Sequence, residues 1–359
     1  MFLRCFIVFL VFSVNVLGDT LETIRQQFEI YQRYAGEIEI LSADNIKEID
    51  NVLQRTEAKR QTARSALDNA PTVSRPKTDG PSPLLAEGYG IPFLHYIAVE
   101  RAFAQRSLQQ GKPDDTMQSI HYVYRLADEL SGAGSLELRT VAALIRLQTL
   151  EIVQSFVLNP HCLHEHHQLL LKLFDGQTSR ESGDKTIWVR YREEGKRFFE
   201  ETARIGLNKT VSPNLLRELR DRSALDEYNK APVERFFQDQ SVFHHAMEAV
   251  IESCSLPFYQ RQPFLRRFNR ELKEKQGTAS EPVFTLLLLR DVSGSMQLFA
   301  QEQSGCEIAY LALSASLNGQ NRRRTMNFLT GNEYEFRLIP DGILCTYEGN
   351  VKPFYVPHR

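Results

Sequence analysis

Apolar positions in the first part of the chain recur at steps of three and four. Leu21, Ile24, Phe28, Tyr31, Ala35 and Ile38 form one such stripe, the period of a helix buried along one face. Ser42-Ala43-Asp44-Asn45 interrupts the stripe and predicts a cap for a second helix carrying Ile46, Ile49 and Leu53. Over residues 92–159 the pattern is helix, break, helix, break, helix. Gly111-Lys112-Pro113-Asp114 makes the first break, with Asp114 as the expected N-cap. Gly132-Ala133-Gly134-Ser135 makes the second, with Ser135 as the cap. The third helix runs through Val141, Leu144, Ile145 and Leu150 toward Pro160, where the residue before proline is pushed out of the helical region. Helical segments then continue over 161–276, with Pro213, Pro232, Pro257 and Pro263 marking turns. Antiparallel helices joined by short turns are the simplest packing for such a chain. No fixed-period repeat defines a solenoid.

The last third changes period. Leu289, Val292, Met296, Phe299, Gln303, Cys306, Tyr310, Leu313 and Leu317 keep helical spacing, and Ser280-Glu281-Pro282 predicts the cap and first turn. Residues 333–339 then alternate polar and apolar, Pro340-Asp341-Gly342 makes a turn, and residues 343–347 form a second strand candidate. The expectation is a β-hairpin whose Tyr334, Phe336 and Leu338, with Ile343, Cys345 and Tyr347, cover the stripe of the long helix. The predicted fold class is therefore mainly α: an antiparallel helical bundle or helical array with a small C-terminal β-hairpin. The expected organisation is a signal peptide at 1–18, an N-terminal helical pair at 19–67 and a Pro-rich linker at 68–90. A helical body at 91–325 and the hairpin segment at 326–359 complete it.

The signal peptide rests on Arg4, an apolar run from Cys5 to Leu17 broken only by Ser13 and Asn15, and Val16-Leu17-Gly18 before polar Asp19. The run is shorter than the ~20 residues of a spanning helix. Cleavage after Gly18 is the favoured outcome, and an uncleaved membrane anchor is the alternative. No later stretch reads as a bilayer span. The chain has 359 residues, enough for one large or two ordinary domains. Its formal charge of −2 gives no global field for nucleic acid or acidic membranes. Export permits disulfides among Cys162, Cys254, Cys306 and Cys345, yet so sparse a set fits four buried thiols slightly better. Asn208-Lys209-Thr210 is a glycosylation acceptor in a eukaryotic secretory pathway only.

Two strings invite chemistry. Asp291-Val292-Ser293-Gly294-Ser295-Met296 follows an apolar run and resembles the Asp-x-Ser-x-Ser signature of von Willebrand factor type A domains, where the Asp and two hydroxyls hold Mg²⁺. Only a short segment follows it here, and it lies inside the helical spacing of residues 289–317, so a core helix is the favoured reading. His161-Cys162-Leu163-His164-Glu165-His166-His167 gathers borderline ligands suited to zinc or copper, with His161, His164 and His167 as the metal candidates. No His-Glu-x-x-His string is present, and a polar first helical turn is the favoured reading of the cluster. Arg266, Arg267, Arg270 and Lys273 flank Phe264, Leu265, Phe268 and Leu272 on one amphipathic helix and read as a solvated face. No Gly-rich phosphate loop or nucleophile turn stands out, so no catalytic residue and no cofactor is assigned.

The C-terminal segment carries a resemblance. Ile308-Ala309-Tyr310-Leu311-Ala312-Leu313 leads to Thr330-Gly331-Asn332-Glu333-Tyr334-Glu335-Phe336, and then to Asp341-Gly342-Ile343-Leu344-Cys345-Thr346-Tyr347-Glu348-Gly349. This order resembles the uncharacterised exported proteins of planctomycete bacteria, and the tail is similar to that of type II secretion pseudopilins. The resemblance implies export and a helical body closed by a hairpin. Asn327-Phe328-Leu329 stands where the pattern has Asp-Pro before Thr-Gly, and the tail runs Lys352-Pro353-Phe354-Tyr355 in place of an acidic, glycine-rich end. Pseudopilin calcium binding is therefore not carried over. The expected function is an exported, non-catalytic structural or interaction protein of the cell envelope. Its partner would be an envelope protein and not nucleic acid, with no membrane span apart from an uncleaved signal segment. The alternative is a metal-dependent enzyme or adhesion module using 161–167 or 291–295.

Overall fold

A computed structural model describes residues 19–28, 45–70, 90–178, 184–206, 210, 228, 230–278, 281–290, 292–318, 326–346 and 352–358. The signal segment, Tyr31, Ala35, Ile38, most of the Pro-rich linker, Asn208-Lys209, Ser280, Asp291 and Tyr347 lie outside the described residues. The protein is mostly helical with a small antiparallel sheet near its C-terminus. We number the described elements α1 (Asp19–Gln27), α2 (Ile46–Asp68), α3 (Ile91–Gln109), α4 (Pro113–Gly132), α5 (Leu136–Leu158) and α6 (His164–Thr178). They continue as α7 (Asp184–Ile205), α8 (Pro232–Ser253), α9 (Phe258–Lys275), α10 (Val283–Leu289) and α11 (Val292–Asn318), then β1 (Glu335–Ile339), β2 (Gly342–Thr346) and β3 (Phe354–Pro357).

The helices bury most of the stripe positions that their spacing predicts, with Ile46 at the start of α2 left 48 % exposed. Leu21, Ile24 and Phe28 of the first stripe are all buried. They join α2 and parts of α3, α4 and α5 in one apolar core, so the N-terminal pair shares its interior with the helices that follow. A second, larger core collects α5 to α11 and the sheet. Helices α3, α4 and α5 reach into both. Gly134, at φ +80°, lets the chain reverse between α4 and α5. Gly195 of α7 meets the Phe243 ring of α8, and a Cβ there would lie 2.3 Å from it, so a larger residue would push these packed helices apart.

Caps follow the sequence only in part. Asn45 caps α2 as expected, its side chain accepting from Glu48 N–H at 3.4 Å. Ser135 takes the N-cap position of α5 without a side-chain cap bond. Asp114 does not cap α4, because Pro113 already opens the helix after Lys112 and moves Asp114 into the first turn. The first turn of α10 is held from another helix. Asp239 of α8, 2 % exposed, accepts from Phe284 N–H at 2.9 Å and Thr285 N–H at 3.0 Å, and the Tyr228 hydroxyl donates to it.

The reading that no later stretch reaches bilayer length is corrected. Leu136–Leu158 and Val283–Leu317 are both long and apolar enough, but 61 % and 71 % of their most apolar windows are buried inside the protein, as in core helices. The hairpin is also revised. Ile339 pairs with Gly342 across the Pro340-Asp341 turn, as expected, but β3 adds a third strand beside β2. Ile343 and Cys345 of β2 and Phe354 and Val356 of β3 are buried, and β2 and β3 pack on α11. All five residues of β1 are exposed, Phe336 by 38 % and Leu338 by 58 %, so the expected inward face of β1 is wrong beyond Tyr334. The sheet overhangs its helical support, and β1 is the strand left outside.

Candidate functional site

The histidine cluster is divided by the start of α6. His161 and His164 are exposed, whereas His166 and His167 are buried. The three candidates His161, His164 and His167 therefore face different surroundings, and among the described residues no group of His, Cys, Asp and Glu is arranged to hold a metal ion. His166 is the residue that sequence reasoning passed over. It is the third residue of α6, and its Nδ1 accepts the Leu163 N–H at 2.9 Å while Nε2 lies 2.9 Å from Asp114 Oδ1. An N3 side chain reaching back to the N-cap amide is half of a capping box, here with imidazole in place of glutamate. Nδ1 accepts, so Nε2 carries the proton toward Asp114. The signal was a polar residue three positions after the turn.

The described part of the second string, residues 292–296, falls on helix. Residues 283–289, which the metal-binding signature would need as a strand, form α10 with every side chain buried. Ser293 and Ser295 lie in the first turns of α11. The Ser293 hydroxyl donates to Asn269 Oδ1 at 2.9 Å, and Ser295 is buried. Cys162, Cys254, Cys306 and Cys345 are buried and none of them is in a disulfide. Burial pushes the thiols of Cys306 and Cys345 up to about 12 and that of Cys254 up to about 11, so they are poor nucleophiles at neutral pH.

An open groove of about 510 Å³ lies between α8 and α9. Its walls carry Val242, Ala246, Ala249, Phe264 and Leu272, all half-buried, with buried Phe268 at the base. The Phe264 and Phe268 rings meet at a tilt of 37° with centroids 5.7 Å apart. His245, Arg267, Glu271 and Lys275 stand on the rim, so the mouth presents both charges. The sequence placed the arginines of α9 on a solvated face correctly, but gave no sign that α8 diverges enough to leave the apolar residues beside them uncovered.

Ionisable groups concentrate in two buried centres. Glu302 of α11 meets the Arg146 guanidinium in a hydrogen-bonded ion pair, and Arg139 Nη1 approaches its other oxygen at 2.6 Å without hydrogen-bond angles. Arg146 also donates to Asp128 at 2.7 Å and Ser131 at 3.2 Å. Burial alone would raise the Glu302 carboxyl, but Arg139 and Arg146 outweigh it and hold the group below the usual carboxylate range. The other centre joins Arg64 of α2 to Glu100 of α3 through bonds of 2.8 and 2.7 Å, with the Ser119 hydroxyl of α4 donating to Glu100 at 2.9 Å. Glu302, Arg146, Arg64, Glu100 and Ser119 are buried and bridge helices, while Asp128 reaches partly to the surface. Glu137 is different: burial pushes it up to about 8, opposed only by the Gly90 N–H at 3.2 Å.

No family model, no curated protein and no solved structure matches this chain.

Proposed function

We propose that the chain is an exported, non-catalytic interaction protein of the cell envelope, built as an antiparallel helical array, and that the α8–α9 groove receives an amphipathic segment of an envelope protein. The observation that carries this reading is the groove itself: an apolar base and walls beneath a rim of both charges. Partner grooves are typically apolar inside and polar at the edge. The buried carboxylates and arginines join helices to one another, so their charges are used within the fold. Export rests on the N-terminal sequence, and the likeness of the tail to planctomycete exported proteins belongs to the same proposal.

A photo-crosslinking residue at Ala246, used in native envelopes, tests the groove. A single discrete adduct that disappears when Leu272→Glu is added supports it. An adduct pattern unchanged by Leu272→Glu counts against it. N-terminal sequencing of the exported protein should begin at Asp19, and an intact Met1 would favour the anchored form. One tightly held metal per chain in the purified protein would instead favour the metal-dependent alternative.

A further inference from the structure

The groove between α8 and α9 has two unlike rims. On the α8 side the polar lining residues are Ser241 and His245, both exposed and neither carrying a permanent charge. His245 Nδ1–H donates to the Ser241 carbonyl at 2.7 Å, so this rim is tied within its own helix. Glu248 and Glu252 of α8 are exposed but do not line the groove, and Glu248 lies 3.1 Å from His244.

The α9 rim is charged. Arg267, Glu271 and Lys275 follow one another along it at steps of four. Four residues of helix rise about 6 Å, so Arg267 and Lys275 stand about 12 Å apart with Glu271 between them. Glu271 lies 3.8 Å from Arg267, and Glu274 lies 3.9 Å from Arg270, so both acids are engaged within the helix. Lys273 and Lys275 have no acidic partner among the described residues, and Arg266 reaches only the neutral Gln262 side chain, at 3.4 Å. The exposed cations of α9, namely Arg266, Arg267, Arg270, Lys273 and Lys275, outnumber its exposed acids, Glu271 and Glu274. One rim is therefore neutral and the other basic.

The apolar residues are recessed between these rims. Phe264 and Leu272 are half-buried and Phe268 is buried, so a flat lipid surface would meet the rim before it met them. A helix laid along the groove reaches them with its side chains. The α9 helix of a second copy is a poor occupant, because it would set a basic face against a basic face.

We infer that the occupant is an acidic amphipathic helix of a partner protein, whose apolar stripe enters between the rims while two carboxylates, two helical turns apart, meet Arg267 and Lys275. The inference rests on the reading of the groove as a partner site and adds the charge and spacing of the partner. The partner residue midway between those carboxylates faces Glu271 and is neutral or basic. The apolar contact holds the complex, and the basic rim speeds encounter with acidic helices and turns basic ones away.

The test uses the purified full-length chain and fluorescein-labelled, alanine-based peptides of about 18 residues, long enough to be helical. All carry the same leucine stripe. The first has glutamate flanking the stripe on both sides at two-turn spacing, the second has lysine at those positions and the third glutamine. Fluorescence anisotropy should rank their affinities glutamate, glutamine, lysine, with about tenfold between first and last. Rising salt should narrow that difference. The double variant R267E/K275E should reverse the order, and Leu272→Glu should abolish binding of all three. Arg267 and Lys275 are exposed, so circular dichroism of the double variant should match the wild type. Three peptides bound alike and all lost in Leu272→Glu would sink the charge selection and leave the groove a partner site. Absence of binding by the glutamate peptide, or an order that survives R267E/K275E, also overturns the inference; the Ala246 adduct in native envelopes then judges the groove separately. Phosphatidylglycerol vesicles that bind the wild type but not R267E/K275E, and that the glutamate peptide fails to displace, would make the rim a lipid site and overturn it. So would an Ala246 adduct joining two copies of this chain.

Discussion

Glu100 lies between Arg64 and Arg60 in the N-terminal core, and Glu302 lies between Arg146 and Arg139 in the larger one. Each is an Arg–Glu–Arg centre, but the two are finished differently. Glu100 is 0 % exposed and accepts two bonds from Arg64 and one from Ser119, although Arg60 Nη1, 3.7 Å away, makes no hydrogen bond among the described residues. Burial lowers the Arg64 guanidinium, and Glu100 more than offsets it and raises the group above its ordinary value. Around Glu302 the supply is less complete. Arg146 Nε is buried with no hydrogen bond among the described residues, and Arg139 is directed partly to Asp184, at 3.5 Å. The N-terminal centre ties α2 to α3 and α4. The other ties α11 to α5 and, through Asp128, to α4. A buried ion pair adds little net stability relative to an apolar replacement, but removing one member leaves a charge stranded. Both centres therefore fix which helix lies beside which more than they deepen the core.

The largest test removes the anion. Glu302→Ala and Glu100→Ala should each cost about 3–5 kcal/mol, the usual consequence of an uncompensated buried charge. Urea denaturation measures both, and a loss under about 1 kcal/mol at either position would show that its arginines escape to solvent. The supporting hydroxyls separate the centres. Ser119→Ala should cost about 1–3 kcal/mol because Ser119 is 1 % exposed and serves both Glu100 and Arg64. Ser131→Ala, at the longer 3.2 Å bond of a half-buried residue, should cost about 0.5 kcal/mol. Equal losses would erase the distinction.

Acidity extends the comparison to an unpaired carboxylate. The folded Glu302 lies below its ordinary value near 4.5, so its contribution is complete above that pH and is lost as pH falls through the lowered value. Glu137 has the opposite sign. Its folded value is raised from 4.5 to about 8, so the native state holds the proton more tightly, and stability is lost as pH rises between those values. Thermal unfolding of Glu137→Gln should decline less than the wild type from pH 5 to pH 8. Parallel curves would mean that the carboxyl reaches water. The smallest effect belongs to the overhanging strand. Phe336→Ala should change stability by about 0.5 kcal/mol, the scale of surface substitutions, measured by urea denaturation. A loss of several kcal/mol would place that ring in a core.

The helices were legible because burying one face requires apolar residues every three or four positions, and the chain supplies them from Leu21 to Leu317. The Pro340-Asp341 turn was legible for a similar local reason. β3 was missed because Pro353 and Pro357 bracket a short apolar run, and its strand state comes from β2 and from Gln154, which is 201 residues away from Tyr355. The cap of α10 was sought next to the helix and came from Asp239, 45 residues earlier than Phe284. The α8–α9 groove had only a partial signal. The amphipathic face of α9 was plain, but whether α8 covers it depends on the angle between two helices.

By itself, then, the sequence determined the periods: where the chain is helical, where it turns, and that its end alternates as a strand. Those are local properties, set by side-chain spacing and by backbone stiffness at glycine and proline. Tertiary structure decided how the charges are partnered, which apolar faces stay open, and that β1 lies beyond its helical support while β3 is closed by Gln154. Such outcomes depend on the distance and angle between elements far apart in the chain, and no local pattern of residues encodes how wide a platform the helices will make.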